Sequence, residues 1–155
     1  MAESDSEKTK HTYHRLVEKL VTIRILLIDD HWEVRERLRI LLMKEPDFQL
    51  VGEAADSAEA LEVFKKSSTD LVIMDLNIPE ISGIETAKQI LAYLPDTKVI
   101  IVTMQSDPHY VKEIFKIGVT GYLLKDCAFE ELVEAVHTVV DGGTYVSPEI
   151  EVGIP

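Results

Sequence analysis

The feature that most constrains the fold of this chain is a strict alternation between two kinds of segment. Five short runs are apolar and rich in Ile and Val: IRILLI (23–28), QLVGEA (49–54), LVIM (71–74), KVIIVT (98–103) and GYLL (121–124). Continuous apolar runs of this length are typical of strands that are buried on both faces of a sheet. The longer segments between them carry apolar residues at helical spacing, so the alternation predicts five βα units.

A β-α order that is repeated five times predicts a parallel sheet with helices on both faces. The expected fold class is therefore α/β, a doubly wound (βα)5 sandwich around a five-stranded parallel sheet. Turn residues such as Pro95-Asp96 and Gly142-Gly143 separate the segments. No linker divides residues 21–147, so we expect one domain there. The ending TYVSPEIEVGIP (144–155) is interpreted as a loop that leads into a further segment.

Composition and charge exclude several classes of protein. The 155 residues include 16 Lys and Arg against 28 Asp and Glu, a net charge of −12. Direct nucleic-acid binding by this segment is not expected, because phosphate contacts need clustered Lys and Arg. A single cysteine, Cys127, excludes an internal disulfide and suggests a reducing compartment. The apolar runs are too short to span a bilayer and the first ten residues are unlike a secretory signal, so we expect a cytoplasmic protein without membrane association.

Polar residues follow the predicted strands at their carboxyl ends, which is where a parallel sheet binds ligands. Asp29 and Asp30 end the first strand, Asp75 the third, Thr103 the fourth and Lys125 the fifth. Three carboxylates at close range repel one another unless a cation lies among them. Oxygen ligands without sulfur or imidazole favour Mg²⁺, with Mn²⁺ as an alternative.

The same side chains suit the transfer of a phosphoryl group to a carboxylate. A carboxylate can attack phosphorus as a nucleophile. A metal ion and a lysine ammonium can neutralise charge on the transferred oxygens, and a threonine hydroxyl can donate to another of them. The set therefore predicts a site at which an aspartate becomes phosphorylated.

Simpler interpretations exist for each residue taken alone. Asp29 and Asp30 could merely cap the first helix, since Asp is favoured at that position. Thr103 could be an ordinary strand terminus and Tyr122 could be plain sheet packing. His31 is interpreted as a surface side chain at the start of a helix. The position and order of the whole set favour the metal site over these readings.

Taken in order, these residues resemble the receiver domains of two-component response regulators, over roughly residues 23–147. The residues that carry the resemblance are Asp29-Asp30, Asp75 with Pro79 and Gly83 in a D-x-x-x-P-x-x-x-G loop, Thr103, Tyr122 and Lys125. The segments IDDH, GYLLKD and DGGTYVSPEI are similar to those of the NarL/FixJ-like (LuxR-type) subfamily. One departure is Asp126, which stands where many receivers have proline after the lysine.

The resemblance implies a flavodoxin-like strand order of 2-1-3-4-5 and a role for each matched residue. Asp75 would be the phosphoacceptor. Asp30 and Asp75 would bind Mg²⁺ together with the backbone carbonyl of Asn77, and Asp29 would act mostly through water. Lys125 would pair with the phosphoryl group. Thr103 and Tyr122 would form a switch pair.

It also implies partners and a domain layout. A sensor histidine kinase would supply the phosphoryl group, and the altered surface would comprise helix 110–117, strand 121–124 and helix 129–140. That surface would serve a phosphorylation-dependent homodimer or a C-terminal helix-turn-helix DNA-binding domain that controls transcription. The chain would catalyse its own phosphorylation and dephosphorylation without being a turnover enzyme. The layout expected is a partly disordered or helical tail over 1–21, a receiver domain over 22–147 and the start of a linker over 148–155.

Two other classes were weighed against the receiver. A haloacid-dehalogenase-like phosphatase needs D-x-D at its first strand, whereas this strand ends in the adjacent pair Asp29-Asp30. A flavodoxin-like cofactor binder needs a Ser/Thr-rich phosphate loop after the first strand, where the same acid pair would repel phosphate. Both are less consistent with the sequence than a receiver.

Overall fold

The computed structural model of this chain describes residue 9, residues 22–79 and residues 81–151. The prediction of a tail over residues 1–21 therefore lies outside the described residues, apart from Thr9. No helix in the described part of the chain is long and apolar enough to cross a membrane.

Strands and helices alternate from Ile23 onward. The strands are β1 (Ile23–Ile28), β2 (Phe48–Ala54), β3 (Leu71–Met74), β4 (Lys98–Thr103), β5 (Gly121–Leu124) and β6 (Tyr145–Val146). The helices are α1 (Trp32–Met43), α2 (Ser57–Lys66), α3 (Gly83–Tyr93), α4 (Pro108–Lys116), α5 (Ala128–Val140) and α6 (Pro148–Glu151). All strand pairs are parallel, in the order β2-β1-β3-β4-β5-β6. The doubly wound α/β class and the order 2-1-3-4-5 are thus confirmed for the first five strands.

The end of the described chain differs from the sequence prediction. Residues 144–155 were expected to form a loop, but Tyr145 and Val146 form β6 beside Gly121 and Tyr122 of β5. Pro148–Glu151 then form α6, and Ile150 in this helix is buried in the core. A two-residue strand is too short to show a periodic pattern, which is why the sequence did not indicate it. The linker predicted from residue 148 stays a prediction, although Ile150 already packs on the domain.

Two layers of apolar side chains cover the two faces of the sheet. Leu26 and Ile28 of β1 belong to the layer under α2, α3 and α4, whereas Ile25 and Leu27 belong to the layer under α1 and α5. All four side chains are almost fully buried, and burial of such a side chain contributes about 1.5–3 kcal/mol. Burial on both faces explains why the strands are continuously apolar.

Helix starts separate into those with a side-chain cap and those without. Asp56, Ser82 and Asp107 cap α2, α3 and α4 by accepting a hydrogen bond from a backbone N–H of the first turn. His31 precedes α1 without such a bond. The N–H of His31 itself donates to Asp29 Oδ1 at 2.8 Å, so one carboxylate of the acid pair also supports the start of α1.

Candidate functional site

The predicted site residues meet at one edge of the sheet, at the carboxyl ends of four strands. In the strand register Ile28 lies beside Met74 and Thr103 lies beside Leu124. The backbone N–H of Asp75 donates to the carbonyl of Ile28 at 3.0 Å, and that of Lys125 donates to the carbonyl of Thr103 at 2.8 Å. Residues that are far apart in sequence are thus held next to one another by the ladder itself.

Asp75 is the buried centre of this edge. Its side chain is 2% exposed. One carboxylate oxygen, Oδ2, accepts a hydrogen bond from Lys125 Nζ at 2.7 Å, and Oδ1 accepts one from the backbone N–H of Asn77 at 3.1 Å. A buried carboxylate is costly unless it is paired and hydrogen-bonded in this way. The two hydrogen bonds hold the Asp75 carboxyl group in a defined orientation.

Lys125 serves two buried carboxylates at once. Its Nζ lies 2.7 Å from Asp75 Oδ2 and 3.6 Å from Asp29 Oδ2. Burial acts to lower the pKa of the Lys125 ammonium, but the hydrogen bond with Asp75 and the charges of Asp29 and Asp75 outweigh it and raise the pKa above its ordinary value. The ammonium is therefore charged at neutral pH.

The acid pair completes a cluster of carboxylates. The Asp29 side chain is 2% exposed and that of Asp30 is 32% exposed. One ligand atom from each of Asp29, Asp30, His31 and Asp75 lies within 4.8 Å of the others. Carboxylate oxygens gathered in this way are the ligands that a hard divalent cation prefers. The donor set therefore fits the cation that the sequence predicted.

His31 belongs to this cluster, which the sequence interpretation missed. Its side chain is 59% exposed, as expected of a surface residue, yet Nδ1 lies 3.1 Å from Asp29 Oδ1 and 3.1 Å from Asp30 Oδ1. The same nitrogen lies 3.4 Å from Lys125 Nζ. The sequence IDDH places this histidine directly after the acid pair, but a histidine at the start of a helix carries no pattern that would have indicated its contacts with the cluster.

The loop after Asp75 is held by close backbone contacts. A Cβ atom at Gly83 would lie 2.6 Å from Leu76 Cα and 2.7 Å from the carbonyl oxygen of Asp75, so only glycine fits there. Ser57 at the start of α2 donates through its hydroxyl to the carbonyl of Pro79 at 3.2 Å and accepts from the N–H of Ile81 at 2.9 Å. These contacts explain the glycine of the D-x-x-x-P-x-x-x-G pattern and fix the segment that carries Asn77.

Thr103 and Tyr122 contact the same residue of the loop after β4. Thr103 is 1% exposed, and its Oγ1 accepts from the N–H of Gln105 at 3.4 Å. Tyr122 is fully buried, and its hydroxyl donates to the carbonyl of Gln105 at 2.8 Å. Burial raises the pKa of the Tyr122 phenol. The ring is already inside in this conformation, and its role in switching stays a prediction.

A cleft opens beside Lys125. It has a volume of about 330 Å³ and is lined in part by Met104, Asp126 and Glu149. The Met104 side chain points outward and is 62% exposed. Met104 is thus exposed at the cleft beside Lys125 and is not a core residue.

Comparison with known proteins identifies the same class of domain. Residues 25–137 match the family described as "Response regulator receiver domain". DegU of Brevibacillus brevis, described as a transcriptional regulatory protein, is 37% identical over 128 residues, which cover 83% of this chain and 54% of DegU. The oxygen regulatory protein NreC of Staphylococcus carnosus is 36% identical over 129 residues, which cover 83% of this chain and 59% of NreC. The chain thus spans little more than half the length of these relatives.

Solved structures agree in fold and in subfamily. A LuxR-family two-component response regulator from Aurantimonas sp. superimposes with a TM-score of 0.81 at 35% identity, covering 86% of this chain and 95% of that one. The signal receiver domain of NarL from Mycobacterium tuberculosis superimposes with a TM-score of 0.73 at 31% identity, covering 78% of this chain and 98% of that one. Together with the strand-end cluster, these likenesses establish that the chain belongs to the response regulator receiver domain family, with relatives of the NarL/LuxR type.

Proposed function

We propose that this chain is a phosphorylation-dependent signalling switch in which Asp75 accepts a phosphoryl group from the phosphohistidine of a sensor histidine kinase. One observation carries the proposal. The Asp75 carboxylate is buried, its Oδ2 lies 2.7 Å from Lys125 Nζ, and the two other carboxylates of the cluster lie beside it. A nucleophile, a cation and a set of metal ligands are the parts that phosphoryl transfer requires.

The transfer itself needs one bond to form and one to break. An Asp75 oxygen attacks the phosphorus, and the P–N bond to the kinase imidazole breaks. The ring nitrogen takes the electron pair, and a proton from solvent restores the neutral imidazole. Lys125 stabilises the charge on the phosphoryl oxygens. The carboxylates of Asp30 and Asp75, the backbone carbonyl of Asn77 and, through water, Asp29 would hold Mg²⁺, which supplies further charge neutralisation when bound.

The added charge of about −2 would then act through the loop after β4. The Thr103 hydroxyl would donate to a phosphoryl oxygen, and Gln105 bonds to both Thr103 and Tyr122. This shared contact supports a coupled movement of the α4-β5-α5 surface, and a phosphorylation-dependent homodimer through that surface. The domain catalyses its own phosphorylation and dephosphorylation and is not a turnover enzyme.

The output and the setting are proposed from the names of longer relatives such as DegU. The surface would control transcription through a helix-turn-helix DNA-binding domain outside residues 1–155, after a linker that starts near residue 148. The receiver would then span residues 22–147 and act in the cytoplasm, without direct nucleic-acid binding by this segment.

Incubation with acetyl phosphate and Mg²⁺, followed by intact mass spectrometry, tests the proposal. The wild-type chain is expected to gain the mass of one phosphoryl group, and Asp75→Asn is expected to gain none. Asp70→Asn is the matched control, because Asp70 precedes the same strand that Asp75 follows. An unchanged mass gain in Asp75→Asn, or an equal loss in a folded Asp70→Asn variant, would overturn the assignment.

A further inference from the structure

We propose that His31 is a direct ligand of the cation at this site, so that the site selects a divalent transition metal such as Mn²⁺ or Co²⁺ over Mg²⁺. The inference rests on the proposed function because it concerns the same cluster, but it adds a nitrogen donor to a set that the sequence indicated to be all oxygen. It also changes the class of cation that the site prefers.

The spacing of the donor atoms supports a shared cation. His31 Nδ1 lies 3.1 Å from Asp29 Oδ1 and 3.1 Å from Asp30 Oδ1. Neighbouring ligand atoms of an octahedral ion with bonds near 2.1 Å are separated by about 3.0 Å. The backbone N–H of His31 donates to Asp29 Oδ1 at 2.8 Å, which ties the residue to the first carboxylate of the cluster. The imidazole therefore needs little rearrangement to join a cation that the carboxylates hold.

The charges around Nδ1 point to the same conclusion. This nitrogen faces two carboxylate oxygens and also lies 3.4 Å from the Lys125 ammonium. A cation bound between Nδ1 and the Asp30 carboxylate, with Asp29 reaching it through water, would balance the negative charge gathered here.

The chemical nature of the ligand atom determines which cation binds more tightly when His31 takes part. At a site with nitrogen and oxygen ligands the affinity rises from Mn²⁺ through Co²⁺ to Ni²⁺, and imidazole nitrogen suits Ni²⁺ and Zn²⁺, whereas Mg²⁺ prefers oxygen ligands and water. Removal of the imidazole should therefore weaken transition-metal binding and leave Mg²⁺ binding to the carboxylates nearly intact. His137 offers a matched control, because it is also a half-exposed histidine beside an aspartate, with its Nε2 2.8 Å from Asp47 Oδ2.

Calorimetric titration with each metal alone is the first test. His31→Ala is expected to weaken Mn²⁺ and Co²⁺ binding by about tenfold or more, a size typical of losing a contact at a metal site. Its Mg²⁺ affinity should change by less than about threefold, and His137→Ala should leave all three affinities unchanged. Equal losses for Mg²⁺ and Mn²⁺ in His31→Ala would overturn the inference, as would no loss for either.

Spin-echo spectroscopy of the Mn²⁺-loaded protein tests the bond directly. Modulation from a bound imidazole nitrogen is expected in the wild-type chain and in His137→Ala, and it should be absent in His31→Ala. A wild-type protein without nitrogen modulation would overturn the inference even if Asp75 is phosphorylated with Mg²⁺. Nitrogen modulation that depends on His31, in a protein whose Asp75 is never phosphorylated, would instead support the ligand and overturn the proposed function.

Discussion

The two ends of the sheet both carry buried or half-buried charge, but they pair it differently. At the amino ends of the strands, Arg24 holds Asp70 with two side-chain bonds of 3.0 Å and a backbone N–H bond of 2.8 Å. At the carboxyl ends, Asp29 and Asp75 share the ammonium of Lys125, and Asp30 adds a third carboxylate. At the amino ends one positive charge pairs with one negative charge, whereas at the carboxyl ends three carboxylates lie around one ammonium. An excess of negative charge of this kind is typical of a site that binds a cation or carries out a reaction.

The larger of the two clefts lies at the end of the sheet where the charges are balanced. A cleft of about 460 Å³ lies at the amino ends, beside Arg24, Asp70 and Pro95, and it is larger than the cleft of about 330 Å³ beside Lys125. The larger cleft borders a carboxylate that is already paired. In this domain the excess of negative charge, and not the volume of a cleft, distinguishes the end that we propose to be reactive.

Added metal should produce the largest difference between the ends. At a Mg²⁺ concentration of 100 times its Kd, the free energy of unfolding should rise by about 2.7 kcal/mol, because only the folded state assembles the site. Asp30→Ala should remove most of this gain, and Asp70→Asn should keep it. Urea denaturation with and without Mg²⁺ measures the effect, and an equal gain in both variants would contradict a cation at the carboxyl ends.

Neutralising the balanced end should destabilise the protein. Asp70→Asn should lower the free energy of unfolding by about 1 kcal/mol at pH 7, a value reduced from that of a buried charged hydrogen bond because both partners are partly exposed. The hydrogen bond from Arg24 lowers the pKa of Asp70 from its ordinary value of 3.8. A lowered pKa gives a stabilisation that is complete above pH 3.8 and is lost as the pH falls through the folded-state pKa. Denaturation at pH 7 and below pH 3 should show the difference between wild type and variant shrinking with acid.

Neutralising the unbalanced end should have the opposite sign in the absence of metal. Asp30→Asn removes a carboxylate from a repulsive cluster, so the metal-free protein should gain about 0.5 kcal/mol. Saturating Mg²⁺ should reverse the order of wild type and variant. If the metal-free variant is less stable than wild type, the cluster is already balanced and the comparison between the two ends fails.

The smallest expected effect concerns Met104, at the cleft beside Lys125. Hydrolysis of an aspartyl phosphate needs a water in line with the phosphorus, and an apolar side chain at the approach excludes it. Met104→Ala should therefore shorten the phosphoryl lifetime and speed loading from small phosphodonors, each by a few-fold. Met43→Ala is the control, since Met43 is 64% exposed at the end of α1. Unchanged decay of ³²P-labelled protein in Met104→Ala would refute the shielding role.

Sequence reasoning reached the site because a parallel sheet aligns strand ends whatever their separation along the chain. Asp29, Asp75 and Lys125 could be grouped from the strand pattern alone. The ring contacts of His31 depend on how the chain enters α1, and a histidine at a helix start has no pattern that separates a cluster member from a surface residue. The pairing of Arg24 with Asp70 depends likewise on the strand register, and β6 is too short to leave a periodic signal.

The short strand β6 also changes what kind of self-association this side of the sheet permits. An open strand edge exposes unpaired N–H and C=O groups to which another chain can add a strand. In this domain Ser147 donates its N–H to the carbonyl of Tyr122 and accepts from the N–H of Leu124, and β6 pairs with the start of β5. The polar groups of β5 are therefore occupied from within the chain. The edge that remains on this side of the described sheet is β6, and two residues are too few for a second copy to add a stable strand, so association through the faces of helices is favoured.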